Sequence, residues 1–140
     1  MSFLFAYKYK NFNGDISNWD VSRVYSMNSI FEGAESFNQD IGNWDVSRVE
    51  CMNCMFEGAE SFNQDIGNWD VSRVECMNCM FEGAESFNQD IGNWDVSKTK
   101  DKMLQMFTGA ISFSYIDQVR NKWLSNRKRT PSHMFKGAGI

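Results

Sequence analysis

The chain has 140 residues, and 14 Lys and Arg against 18 Asp and Glu give it a formal net charge of −4. Aromatic residues make up 15% of the chain, which excludes a disordered protein, and no apolar run approaches the roughly 20 residues of a membrane-spanning helix. A single histidine, His133, leaves no Ser-His-Asp set, so we expect no enzymatic activity and no cofactor.

Tryptophan is spaced regularly along the chain. It occurs at positions 19, 44, 69, 94 and 123, with separations of 25, 25, 25 and 29 residues. Residues 43–67 and 68–92 are identical, and residues 18–42 differ from them at four positions. A fixed period of this length is typical of stacked repeat proteins. We therefore predict one repeat domain over residues 1–140.

Residues 1–17 are predicted to be an N-terminal cap that contains half a repeat. Aromatic residues alternate there, which predicts a strand that covers the open end of the stack: Phe3, Phe5, Tyr7 and Tyr9. The segment lacks the basic region and the small-residue cleavage site of a signal peptide, so we do not expect it to be one.

Residues 18–97 are the regular repeats, and each is predicted to contain one short helix and one short strand. Ser72 and Glu75 have the spacing of a capping box, and Gly83 lies where a helix would end. Apolar residues between them recur at helical spacing: Val74, Met77, Met80, Phe81 and Ala84. A short strand is expected about Ile91. The predicted fold is an α/β repeat, a right-handed solenoid similar to the leucine-rich-repeat proteins.

Residues 98–140 are predicted to contain degenerate repeats and a C-terminal cap. This segment has 9 basic and 2 acidic side chains, whereas residues 1–97 have 5 basic and 16 acidic ones. The densest basic run consists of Arg127, Lys128 and Arg129. Three charges are too few to predict nucleic-acid binding, and we expect this run to face solvent and to dock an acidic partner.

The run MFEGAESFNQDIGNWDVSRVECM resembles the 25- or 26-residue repeat of the BspA-like leucine-rich-repeat surface proteins. The similarity covers about 90 of the 140 residues well and both ends loosely. It implies a surface-associated or secreted protein that binds other proteins and has no catalytic activity. The missing signal peptide and the cysteines, if they are free thiols, instead suit an intracellular protein.

The four cysteines form two C-x-x-C pairs, Cys51 with Cys54 and Cys76 with Cys79. Their spacing approaches that of a zinc ribbon, but it follows from the repeat period. The first repeat has Ser26 and Ser29 at the equivalent positions. The pattern favours free or structural thiols with no bound metal, and a zinc site or a disulfide pair is the alternative.

Polar residues that recur every 25 positions predict columns along the stack. Two columns are acidic and one is basic: Asp40, Asp65 and Asp90; Asp45, Asp70 and Asp95; Arg23, Arg48 and Arg73. The aspartates, with Asn43, Asn68 and Asn93 between them, could bind calcium, but the pattern favours turns and helix caps. The arginines are predicted to contribute to partner binding.

The tryptophan column is predicted to be a buried ladder and not a sugar-binding strip. The leading functional hypothesis is a protein-interaction module that binds a partner along its surface. The alternative is a structural subunit that docks among neighbouring subunits of a larger assembly.

Overall fold

In the computed structural model of the chain, residues 4–6, 8–125 and 130–139 are described. Most of these residues form successive turns. A 3-10 helix spans Ser97–Thr99, and one α-helix, α1, spans Ile116–Leu124. Within the described ranges there is no strand, so the predicted α/β solenoid with a helix and a strand in each repeat is wrong.

The repeats stack through backbone hydrogen bonds between equivalent positions. Met52 N–H donates to the Cys76 carbonyl at 2.9 Å, Cys54 to Asn78 at 2.8 Å and Phe56 to Met80 at 2.9 Å. The same alternation joins the first repeat to the second, and it joins the third repeat to residues 102–108. Each repeat is thereby fixed in register against the next one, as in a parallel ladder.

This ladder explains why no helix forms at residues 72–83. An α-helix requires each N–H to donate to the carbonyl four residues earlier. Here the N–H groups of Met77, Cys79 and Phe81 donate to the following repeat instead, and Cys79 has a φ of 56°, outside the helical region. In the predicted capping box the Glu75 side chain would accept the Ser72 N–H. The Ser72 N–H donates instead to the Asp70 carboxylate at 3.1 Å.

Strand-like pairing occurs in a different part of the repeat from the predicted one. The structure has isolated parallel bridges between Ser26 and Cys51 and between Cys51 and Cys76, inside the segment predicted to be helical. Ile91, the centre of the predicted strand, is buried but belongs to a turn in which Trp94 N–H donates to its carbonyl at 3.1 Å. The apolar character of Ile91 therefore reflects burial and not a pleated sheet.

Two columns of stacked phenylalanine rings run through the core. Neighbouring rings of the first column have centroids 5.6–5.7 Å apart: Phe5, Phe31, Phe56, Phe81, Phe107 and Phe135. Those of the second are 5.9–6.0 Å apart: Phe12, Phe37, Phe62, Phe87 and Phe113. Within a repeat the two columns touch, with 4.0 Å between Phe56 and Phe62. The apolar face predicted for the helix is therefore buried, although no helix presents it.

The tryptophan column is buried, which confirms the prediction of a core ladder. Trp44, Trp69 and Trp94 are each 4% exposed, and the rings of Trp69 and Trp94 stack with centroids 6.4 Å apart. The Trp69 indole N–H donates to the Ile41 carbonyl of the preceding repeat at 3.1 Å, so its polar atom is satisfied. Trp19, in the first repeat, is 41% exposed.

Helix α1 occupies the place where the spacing of the tryptophans lengthens from 25 to 29 residues. Three of the four additional residues lie between Phe113 and Trp123, and the helix accommodates them without disturbing the tryptophan stack. Trp123 still stacks on Trp94 with centroids 6.1 Å apart. Lys122 Nζ also donates to the Asn93 side chain of the preceding repeat at 2.8 Å.

Glycine is required where consecutive repeats approach most closely. A Cβ atom added to Gly67 would lie 2.6 Å from the Asp90 carbonyl oxygen, a backbone atom that cannot move aside. The same contact exists between Gly42 and Asp65, at 2.7 Å. The glycine of the DIGNW segment therefore sets how tightly the repeats stack.

We expect Trp69→Ala to lower the free energy of unfolding by about 3–5 kcal/mol, the usual cost of removing a large buried aromatic side chain. Chemical denaturation followed by circular dichroism would measure it. Trp19→Ala is the matched control, because Trp19 is at an equivalent position but 41% exposed. Equal losses in both variants would contradict a core role specific to the inner tryptophans.

Candidate functional site

The predicted arginine column lies on the surface. Arg23, Arg48 and Arg73 are exposed. The ion pairs within the described part of the chain are Lys10 with Glu35 and Arg120 with Asp117, and neither involves this column. Glu50 and Glu75, two residues after the second and third arginines, are exposed as well.

Exposed residues of like charge recur once per repeat along this surface, the arginines in one column and the glutamates in another. The Cα atoms of Cys51 and Cys76, next to Glu50 and Glu75, are 5.0 Å apart, which gives the separation of consecutive repeats there. Like charges at directly opposed positions destabilise a ladder. We call the surface formed by Arg23, Arg48, Arg73, Glu50 and Glu75 the charged strip.

The aspartate columns are used by the turns of the repeat. Asp45 accepts hydrogen bonds from the Ser47 N–H at 3.1 Å and the Ser47 hydroxyl at 2.6 Å, and these bonds lower the pKa of its carboxyl group. Asp65 accepts the Gly67 N–H in the same way, at 2.9 Å. These contacts match the turn role that the sequence favours over calcium binding.

Two columns of asparagine side chains bind the backbone of the following repeat, which sequence reasoning missed. Asn53 Oδ1 accepts the Asn78 N–H at 2.9 Å, and Asn63 Oδ1 accepts the Asn88 N–H at 2.9 Å. Gln89 also donates to Asn63 Oδ1 at 2.9 Å. The available signal was the invariance of these asparagines from repeat to repeat, but the pattern alone does not say which group they bind.

The cysteines divide into two pairs of different chemistry. Cys51 and Cys76 form a disulfide bond between consecutive repeats. The expectation of free thiols is wrong for this pair, because the ladder places these residues directly opposite each other. A zinc site made of all four cysteines is excluded by the same bond, since two of its sulfurs are already used.

Cys54 and Cys79 are free thiols and lie beside glutamates. The ligand atoms of Cys54, Glu57 and Cys79 all lie within 4.8 Å of one another, and the three residues are half-buried. Burial, followed by the hydrogen bond and negative charge of Glu82, raises the pKa of Cys79 to about 12. Burial, followed by the hydrogen bond and negative charge of Glu57, raises the pKa of Cys54 above its usual range. Burial also raises the pKa of Glu57.

The basic run Arg127, Lys128 and Arg129 lies outside the described residues, so its role stays a prediction. Close to it in sequence is an open cleft of about 1210 Å³ between the 3-10 helix and α1. Its lining includes Trp94, Trp123, Lys100 and Lys122. Sequence reasoning missed this cleft, although the irregular spacing after residue 97 marks the place where the repeats diverge.

The sequence matches a protein family over residues 1–73 and again over residues 47–139. The family is described as Mycoplasma proteins of unknown function, DUF285. The chain belongs to the DUF285 family. Its two overlapping matches confirm the coarser prediction, a resemblance to a family of repeat proteins, and the finer resemblance to BspA-like proteins stays a prediction. No curated protein and no solved structure matches the chain.

In the described part of this DUF285 protein, no helix is long and apolar enough to cross a membrane. This agrees with the absence of a long apolar run in the sequence.

In this DUF285 protein we expect Asn53→Ala to lower the free energy of unfolding by about 1–3 kcal/mol, because the Asn78 N–H loses its acceptor. Asn68→Ala is the control, since Asn68 is exposed and no hydrogen bond of its side chain is found among the described residues. Thermal unfolding of the two variants would compare them. Equal effects would contradict a stabilising role for the asparagine column.

Stability should fall as the pH decreases below about 4. Hydrogen bonds from serine lower the pKa of several aspartates in the folded state: Asp15, Asp20, Asp45 and Asp95. A lowered folded-state pKa stabilises the protein above the unfolded-state value, and the contribution is lost as the pH falls through the folded-state pKa. Glu57 acts in the opposite direction, because its raised pKa favours the protonated form in the folded protein.

Unfolding curves between pH 7 and pH 2, together with carboxyl titration by NMR, would test this expectation. Ser47→Ala should raise the pKa of Asp45, since it removes the hydroxyl donor. An unchanged Asp45 titration in that variant would contradict the assigned cause.

Proposed function

We propose that this protein is a non-catalytic interaction module of the surface-protein repeat type, and that it binds another protein through the charged strip. The observation that carries the proposal is the recurrence of exposed like charges once per repeat, beside a ladder whose Cys51 and Cys76 Cα atoms are 5.0 Å apart. A partner with charges of opposite sign at similar spacing would relieve this repulsion and gain attraction at every repeat.

The distribution of the other polar side chains supports this choice of surface. The asparagine columns bind the neighbouring repeat, and the aspartates accept hydrogen bonds within their own turns. The aromatic residues are used in the core. The arginines of the charged strip form no ion pair among the described residues, although the charges of Arg23 and Arg48 help to lower the pKa of Asp20 and Asp45, so their guanidinium groups are available to a partner.

The disulfide bond supports a location outside the cytoplasm. Disulfides persist in oxidising environments such as cell surfaces. The argument for an intracellular site depended on the missing signal peptide and on free cysteines, and its second ground no longer holds for Cys51 and Cys76. A surface or secreted location therefore belongs to this proposal.

A structural subunit of a larger assembly is the second candidate, and one observation favours it. The repeats are joined by alternating N–H donors, and the corresponding N–H groups of Phe135 and Gly137 have no acceptor among the described residues. A neighbouring subunit with matching carbonyl groups could continue the ladder there. Such a partner would be recovered at a fixed stoichiometry, unlike a partner bound along the charged strip at an affinity that depends on salt.

The test begins with copurification from the native source, mass spectrometry of the bound proteins and a binding titration with the recovered partner. The variant replaces Arg23, Arg48 and Arg73 by Gln. We expect its affinity to be about tenfold lower at low salt, mainly through a slower association rate, and the difference to shrink as salt is added. Surface plasmon resonance would measure both rates.

The matched control replaces three exposed lysines outside the strip by Gln, with the same change in net charge: Lys8, Lys10 and Lys136. It should bind nearly as the parent does. If the control loses as much affinity as the arginine variant, net charge and not the strip drives binding, and the proposal fails. Because residues 43–67 and 68–92 are identical, an additional copy can be inserted with unchanged junctions, and it should increase the affinity.

A further inference from the structure

The thiols of Cys54 and Cys79 lie side by side on consecutive repeats, each with a carboxylate three residues later in the chain. The Cys54 thiol is hydrogen-bonded to Glu57, and the Cys79 thiol to Glu82. The ladder thus brings two sulfur donors and the Glu57 carboxylate to one half-buried position, with Glu82 hydrogen-bonded to one of the thiols. Neither residue pair has a part in the proposed interaction surface.

We propose that Cys54, Cys79 and Glu57, with Glu82 as the fourth donor, bind one zinc ion between the second and third repeats. Zinc takes four ligands in a tetrahedral arrangement and accepts both thiolate and carboxylate. The donor atoms of the first three residues already lie within 4.8 Å of one another. Zinc–sulfur bonds of about 2.3 Å require sulfurs about 3.8 Å apart, which is a shift that side-chain rotation can provide.

Hydrogen bonds to the following repeats fix the backbone at both cysteines of the site. Cys54 N–H donates to the Asn78 carbonyl at 2.8 Å, and Cys79 N–H donates to the Leu104 carbonyl at 2.9 Å. The disulfide between Cys51 and Cys76 joins the same two repeats three residues away. A site on such a rigid support needs little reorganisation to close around a metal.

The sequence permits one such site among the regular repeats. The first repeat has Ser29 in place of the cysteine, and the segment after the third repeat has Gln105 and Thr108 in place of the cysteine and the glutamate. Two thiols distinguish the site from a calcium or magnesium site, since those ions prefer oxygen ligands throughout. This donor set differs from the four-cysteine set considered from the sequence, which omitted the glutamates.

Binding exchanges two thiol protons for the ion, with no change of oxidation state. Both S–H bonds break, two zinc–sulfur bonds form, and about two protons pass to solvent. The negative charges that face the thiols come from Glu32, Glu57 and Glu82. Because binding releases these protons, zinc affinity should increase as the pH rises.

The experiment uses the full chain with its disulfide intact, under anaerobic conditions and without reductant. Cobalt(II) serves as the spectroscopic probe, and zinc affinity is measured by competition with a chromophoric chelator. We expect one metal per chain, a thiolate-to-cobalt charge-transfer band and a zinc-dependent rise in melting temperature. Cys54→Ser and Cys79→Ser should remove the charge-transfer band or weaken it strongly, and Glu57→Gln should weaken zinc binding about 10- to 100-fold.

Two control variants show whether the metal binds at this site and not elsewhere on the chain. Glu60→Gln changes an exposed glutamate of the same repeat and should leave zinc affinity unchanged. The double variant Cys51→Ser and Cys76→Ser removes the disulfide and should retain the metal, because Ser26 already occupies the equivalent position in the first repeat. Circular dichroism would establish that each variant is folded, and the parent titration tests the site even where a variant is not.

Three results would overturn the proposal. The first is cobalt binding without a charge-transfer band, because the thiols would then not be ligands. The second is loss of binding in the Cys51 and Cys76 double variant while the Cys54 and Cys79 variants keep it. The third is a protein isolated with no free thiol, since a second disulfide would remove both sulfur donors.

Discussion

The structure depends on one constraint, the in-register stacking of each repeat on the next at a separation of 5.0 Å where Cys51 meets Cys76. At this distance identical side chains become direct neighbours, so each position of the repeat must tolerate contact with its own copy. Flat aromatic rings satisfy this condition, and the two phenylalanine columns and the tryptophans fill the core in this way. Gly67 satisfies it by having no side chain where the Asp90 carbonyl passes.

The same constraint divides the polar residues by function. Asparagine can accept a backbone N–H from the next repeat and also offer its own backbone N–H to the preceding asparagine, so it repeats without conflict. Side chains of like charge cannot do this, because they repel each other at directly opposed positions. The charged strip nevertheless carries arginine in all three regular repeats and glutamate in the second and third, whereas the first repeat has Tyr25. This contrast is the physical basis for assigning that strip to a partner.

Burial could be predicted from the sequence, whereas backbone conformation could not. The period and the spacing of Trp69, Phe81 and Met77 identified core positions, because apolar residues are buried whatever the backbone does. The helix at residues 72–83 was wrong, since helical periodicity cannot reveal that alternate N–H groups donate to another repeat. The same ladder decides that Cys51 and Cys76 form a disulfide bond whereas Cys54 and Cys79 stay free thiols. The sequence also does not show that Glu57 lies close to both free thiols.

The identity of residues 43–67 and 68–92 has a consequence for how such a protein gains new chemistry. Most proteins need two independent mutations to create a cross-link, and the first of them brings no benefit. In this architecture a single mutation to cysteine, followed by duplication of the DNA that encodes the repeat, creates both partners at once. The copies arrive already aligned, because the ladder places equivalent residues opposite each other. Recombination between the copies can then lengthen or shorten the stack without changing the sequence at the junction between repeats. A repeat gained or lost in this way changes every column of stacked residues by one member.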